Sequence, residues 1–188
     1  MGVPLRKRQY PRRKFIRDVT VLAGGLTVLP GCNQSRGRWR YFTNAEADTV
    51  YAICEQIIPT DQDPGAAYAG VPNFIDKQLV GPYKRFQQTY RNGLRGVQEA
   101  SQAMFGGQFE SLAWDRQTEV LKALEAGKAQ GAAWKTEDPR AFFELIRDHT
   151  MQGFYGSPRH GGNWDYVSYR MLGLDYPQVV GQNRYRKV

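Results

Sequence analysis

Apolar residues recur at helical spacing in three separate segments of this chain: Val50, Ile53, Cys54 and Ile57; Phe86, Tyr90, Leu94 and Val97; and Phe142, Leu145, Ile146 and His149. Steps of three and four return side chains to one face of a helix, whereas a half-buried strand alternates with period two. No period-two series occurs in the chain. The pattern therefore predicts an all-α fold, an irregular helical bundle.

Capping and breaking residues set the expected helix limits. Thr43-Asn44-Ala45-Glu46 reads as a capping box, in which the Thr43 hydroxyl accepts from the Glu46 amide and the Glu46 carboxylate reaches back. The helix it opens runs to Ile57-Ile58, is stopped by Pro59, and gives way to a turn-rich loop over residues 60–66. A second helix is expected from near Pro72 to Leu79, broken at Gly81-Pro82. A third runs from Tyr83 to Met104, weakened by Gly93 and Gly96 and ended by Phe105-Gly106-Gly107. Asp115 to Leu124 makes a fourth. Asp138 supplies an N-cap with Pro139 at the first helical position, opening a fifth that ends near Gly153. Beyond it lies a long glycine-rich C-terminal loop region: residues 154–164 hold Gly156, Gly161, Gly162 and Pro158.

Ahead of the helices stands Arg12-Arg13-Lys14-Phe15-Ile16-Arg17, then an apolar run from Val19 to Leu29 ending at Pro30-Gly31-Cys32. A basic stretch, a short apolar stretch and small residues make a secretory leader, and the Arg12-Arg13 pair with Phe15 is the form read by the twin-arginine translocase. Pro11 stands where Ser or Thr is usual. The apolar run is shorter than the roughly 20 residues that span a bilayer, so residues 1–32 read as a signal peptide, 33–42 as a linker and 43–188 as the helical domain. Leu29-Pro30-Gly31-Cys32 resembles a lipobox with an atypical Pro30. Acylation at Cys32 and ordinary cleavage nearby both fit. A periplasmic or envelope location follows, with a lipid anchor if Cys32 is acylated. Because the twin-arginine route carries folded proteins, the leader implies assembly before export.

Removing the leader changes the charge argument. The chain carries 26 basic and 18 acidic residues, a net +8. Seven of the basic and one of the acidic residues lie in positions 1–32, which leaves 19 and 17 and a net of +2. A nucleic-acid partner is thereby disfavoured. The cluster Arg36, Arg38 and Arg40, with Trp39 and Tyr41 interleaved, reads as a linker that docks on a headgroup or partner surface. With only Cys32 and Cys54 there is no disulfide framework, and Cys54 on an apolar helical face reads as a buried, inert thiol. No haem-attachment, iron–sulfur or dinucleotide motif occurs in the sequence.

Two stretches resemble the gluconate 2-dehydrogenase subunit 3 family. The first is Ile57-Ile58-Pro59-Thr60-Asp61 with Pro64-Gly65-Ala66, Ala69-Gly70-Val71 and Phe74-Ile75-Asp76. The second is Leu145-Ile146-Arg147-Asp148-His149-Thr150 with Gly153-Phe154, Ser157-Pro158 and Gly161-Gly162-Asn163. The resemblance spans about residues 43 to 173. It implies a non-catalytic small subunit that holds no cofactor or metal itself. Its expected partner is a large FAD-dependent oxidoreductase of the glucose–methanol–choline type, acting on sugars or sugar acids, lacking its own signal and exported with the small subunit. A cytochrome c electron acceptor belongs to the same picture. His160 in place of Tyr, Ser168-Tyr169 in place of Gly-Trp, and the spacing of Gly173 to Pro177 depart from the family pattern. These departures bear on which oxidoreductase is the partner.

The candidate partner interface is His149, Tyr155, Pro158, His160, Gly161, Gly162, Asn163 and Tyr169. His149 falls on the apolar face of its helix. It reads either as a core histidine donating to a backbone carbonyl of the following loop, or as part of a face meeting the large subunit near its substrate mouth. Gly161-Gly162-Asn163 suits a tight turn or a docking surface. A metal site from His149 and His160, or a nucleophile from Ser157 and His160, ranks below these readings because ligand spacing and a nucleophile elbow are lacking. Tyr155, Trp164, Tyr166, Tyr169, Tyr176 and Tyr185, with Arg159, Arg170, Arg184 and Arg186 among them, are of the types enriched at binding hot spots. The alternative function they suggest is a free-standing envelope lipoprotein that binds carbohydrate.

Overall fold

Five helices and a short sixth make up the computed structural model, which describes residues 39–174. They are α1 Asn44–Ile57, α2 Val71–Leu79, α3 Gln87–Phe105, α4 Trp114–Glu125, α5 Pro139–Tyr155 and α6 Val167–Met171. Among the described residues there is no strand. Helix α5 is the hub, touching α1, α2, α3, α4 and α6.

Local chemistry sets the helix starts as the sequence predicts. The Thr43 hydroxyl accepts from the Glu46 amide at 3.3 Å, and the Glu46 carboxylate accepts from the Thr43 amide at 2.8 Å. The Asp138 carboxylate accepts from the amides of Arg140 and Ala141 at 2.8 and 3.4 Å, with Pro139 at the first position. Each such cap contributes about 1 kcal/mol.

The start of the third helix differs from expectation. The Tyr83 amide donates to the Gln78 carbonyl and the Gln87 side-chain amide to the Leu79 carbonyl, both at 2.9 Å. These bonds hold Val80 to Tyr83 as a turn, followed by a 3₁₀ turn at Lys84–Phe86 before α3 begins. Helix α6 and the 3₁₀ turns Pro158–His160 and Trp164–Tyr166 replace what reads in sequence as continuous loop. A five-residue helix is too short for periodicity to reveal.

Packing explains Gly93 and Gly96, which look like weak points of α3. A Cβ on Gly93 would lie 2.2 Å from the Phe142 ring, and one on Gly96 would lie 2.4 Å from Trp134. Their absence lets α5 and the 3₁₀ turn Ala133–Lys135 close on α3. Tyr90, Phe109, Phe142 and Phe154 are fully buried at the centre with Ile53, Ile75, Leu79 and Leu124. Each fully buried large apolar side chain stabilises the fold by about 1.5–3 kcal/mol relative to leaving it exposed.

Candidate functional site

His149 points into the core, as its helical register requires. It is 4 % exposed, and its Nδ1 lies 2.9 Å from the Tyr90 hydroxyl. The Tyr83 ring stacks on it at 4.2 Å, and Phe86 meets it edge-on at 5.4 Å. Burial lowers its pKa to about 4; Asp148 opposes that shift and Arg85 adds to it. The imidazole is neutral at physiological pH. The expected bond to a backbone carbonyl of the following loop is therefore corrected. The partner is a phenol on α3, because α3 and not the loop covers this turn of α5, while the loop folds onto α2.

Three side chains of α2 hold that loop. Asn73 Nδ2 donates to the Gly161 carbonyl at 2.7 Å, Gln78 Nε2 to His160 at 3.1 Å and Lys77 Nζ to Arg159 at 3.2 Å. The Trp164 indole N–H also donates to Gly161, at 2.9 Å, and its amide donates to Ala69 at 3.0 Å. Asn163 sits in the left-handed region at φ 45°, ψ 45°. Its Nδ2 donates to the Gly156 carbonyl at 2.8 Å and its Oδ1 accepts from the Ser168 amide at 3.0 Å. Asn tolerates this conformation better than most residues because its short amide bonds locally.

Gly162 lies directly on α5. A Cβ there would be 2.2 Å from the Gly153 carbonyl, and one on Gly153 would be 2.8 Å from Phe74. Side chains at either position would separate the loop from α2 and α5. The Gly-Gly-Asn motif therefore makes a tight, internally bonded turn. Of the candidate interface residues, His149, Pro158, Gly161, Gly162 and Asn163 are buried within this chain; Tyr155 and His160 are exposed and Tyr169 is half-buried. Ser157 meets His160 through its carbonyl, which accepts the His160 amide at 3.1 Å and closes the 3₁₀ turn.

Sequence reasoning missed Asp76. Its carboxylate, fully buried, accepts the amides of three consecutive residues: Arg40 at 2.8 Å, Tyr41 at 2.9 Å and Phe42 at 3.0 Å. Arg91 pairs with Glu46, donates to the Tyr41 carbonyl at 2.8 Å and lies 4.3 Å over the Tyr41 ring. Residues 40–42, read as linker, are thus bonded into the fold. An aspartate in the apolar run Phe74-Ile75-Asp76 was the one available signal.

Cys54 is buried, with its Sγ 3.4 Å from the Thr150 hydroxyl, and burial pushes its thiol up to about 12. It stays protonated and unreactive. Among the described residues no three His, Cys, Asp or Glu side chains gather as metal ligands. Arg12, Arg13, Phe15, Cys32, Tyr176, Arg184, Tyr185 and Arg186 lie outside the described residues.

Comparison with known proteins adds one finding. The family model described as gluconate 2-dehydrogenase subunit 3 matches residues 44–175. No curated protein and no solved structure matches the chain.

Proposed function

This chain belongs to the gluconate 2-dehydrogenase subunit 3 family, and from that premise we propose that it is a non-catalytic accessory subunit that escorts and stabilises a FAD-dependent oxidoreductase. The family is that of a small subunit of a dehydrogenase complex. The finer reading is a large glucose–methanol–choline type partner that binds FAD, oxidises a sugar or sugar acid and passes electrons to an acceptor such as a cytochrome c. The twin-arginine leader on this chain would carry the assembled pair to the periplasm or envelope. Flavin chemistry would reside in the partner.

The observation that carries the reading is the family match across both motifs. The geometry supports it in a second way. Among the described residues His149 and Cys54 are enclosed as neutral core side chains, His160 is exposed, and the glycine loop is spent on bonds within the chain. Asp76 gives the escort a physical basis, since it ties the segment that follows the leader to the folded body.

Co-expression tests this directly. A leaderless large subunit should reach the envelope, measured as flavin-dependent dye reduction there, only with this chain and an intact Arg12-Arg13 pair. Equal envelope activity with the Arg12→Lys/Arg13→Lys chain would contradict the escort role.

A further inference from the structure

Between buried Asp76 and Glu99, residues 77–98 contain five cations, Lys77, Lys84, Arg85, Arg91 and Arg95, and no carboxylate. The fold distributes them unevenly. Arg91 is paired with Glu46, Arg95 lies 3.7 Å from Glu99, and Lys77 is engaged by the Arg159 carbonyl. Lys84 and Arg85 are exposed and, among the described residues, have no ion-pair partner. They follow the turn in which Val80, Gly81 and Pro82 are all exposed, with Val80 45 % exposed.

The chain enters the fold beside this turn. Arg40, its side chain 48 % exposed, is held at Asp76, one helical turn before Val80, and the Tyr41 hydroxyl donates to the Gln87 carbonyl two residues beyond Arg85. The Asp76 carboxylate, already accepting three amides, lies 3.9 Å from Arg40 and neutralises it weakly. The sequence leading to this point holds Arg38, Arg36 and, eight residues before Arg40, Cys32.

We infer that this end of the bundle, formed by Arg40, Lys84 and Arg85 around the Val80–Pro82 tip, is a docking surface for an anionic phospholipid bilayer. Exposed cations flanking a small apolar tip match an interface of phosphates above acyl chains. Charge complementarity commits the surface to an anionic lipid, because each Lys or Arg near such a membrane strengthens binding by about 1 kcal/mol, roughly fivefold. The inference does not depend on the accessory-subunit reading, and its test needs no large subunit.

The test is co-sedimentation of the processed chain, residues 33–188, which carries neither the cationic leader nor Cys32, with vesicles of phosphatidylcholine alone or with 30 mol % phosphatidylglycerol. The expected result is binding to the anionic vesicles only, weakened about thirtyfold by Lys84→Ser/Arg85→Ser. Arg116→Ser/Lys122→Ser, which removes the same charge from α4, should weaken it no more than twofold. Raising salt to 0.5 M should reproduce the loss on the parent chain without any substitution. Equal binding to neutral vesicles, equal losses for the two double variants, or salt-independent binding would overturn the inference. So would a Lys84→Ser/Arg85→Ser variant that keeps its vesicle binding.

Discussion

The Nδ1 of His149 and the hydroxyl of Tyr90 lie 2.9 Å apart, joining α5 to α3 in the interior. The Tyr90 phenol is fully buried and its pKa is raised well above the ordinary value by that burial. A neutral imidazole bonded to a neutral phenol needs no compensating charge, so the pair fits an apolar core.

That pair predicts acid sensitivity. The folded-state pKa of His149, about 4, lies below the unfolded value near 6.5. Stability from keeping it neutral is complete above pH 6.5 and is lost as pH falls from 6.5 toward 4, because the unfolded chain takes up the proton first. The loss should be about 2–3 kcal/mol. Denaturation of His149→Gln alongside the parent across this window should show the variant's dependence shallower by one proton. Parallel curves would refute the assignment.

Asp76→Ala should destabilise the fold by about 3–4 kcal/mol, since it removes charge-assisted bonds to three amides and leaves buried donors unpaired. Trypsin cleavage after Arg40 should accelerate in the native state. A variant as protease-resistant as the parent would show that other contacts hold residues 40–42.

Gly93→Ala should cost about 1–2 kcal/mol even though alanine favours a helix by about 1 kcal/mol, because its methyl meets the Phe142 ring. Combining it with Phe142→Leu should recover part of the loss, so a double-mutant cycle would show coupling. Additive losses would mean that the two residues do not share the space.

Asn163→Ala should leave the Gly156 carbonyl and the Ser168 amide without their partner, costing about 2–3 kcal/mol. The damage should be local. Amides of residues 157–171 should exchange faster with deuterium while those of α3 and α4 do not. Uniform acceleration across the domain would argue against an independently clamped loop.

These residues also show what a sequence can convey. The caps at Thr43 and Asp138 were legible because each is a contact between residues two or three apart. The inward register of His149 followed from its spacing to Phe142, Leu145 and Ile146. Its hydroxyl partner did not, since Tyr90 lies 59 residues away. The partners of Asp76 were hidden for the same reason, its bonded amides being 34 to 36 residues distant. Gly93 and Gly96 misled because local propensity counts a missing side chain as a weakness, while the fold uses the space for Phe142 and Trp134. The Gly-Gly-Asn motif stood out in sequence, but only the donors on α2 show that its bonds turn inward.

The most direct test of the account is a native pull-down of the tagged chain from its own envelope fraction, with an absorbance spectrum of the eluate. An accessory subunit should bring down a large co-purifying protein together with the visible absorbance of a bound flavin. A colourless chain eluting alone, under conditions gentle enough to keep other envelope complexes intact, would contradict it.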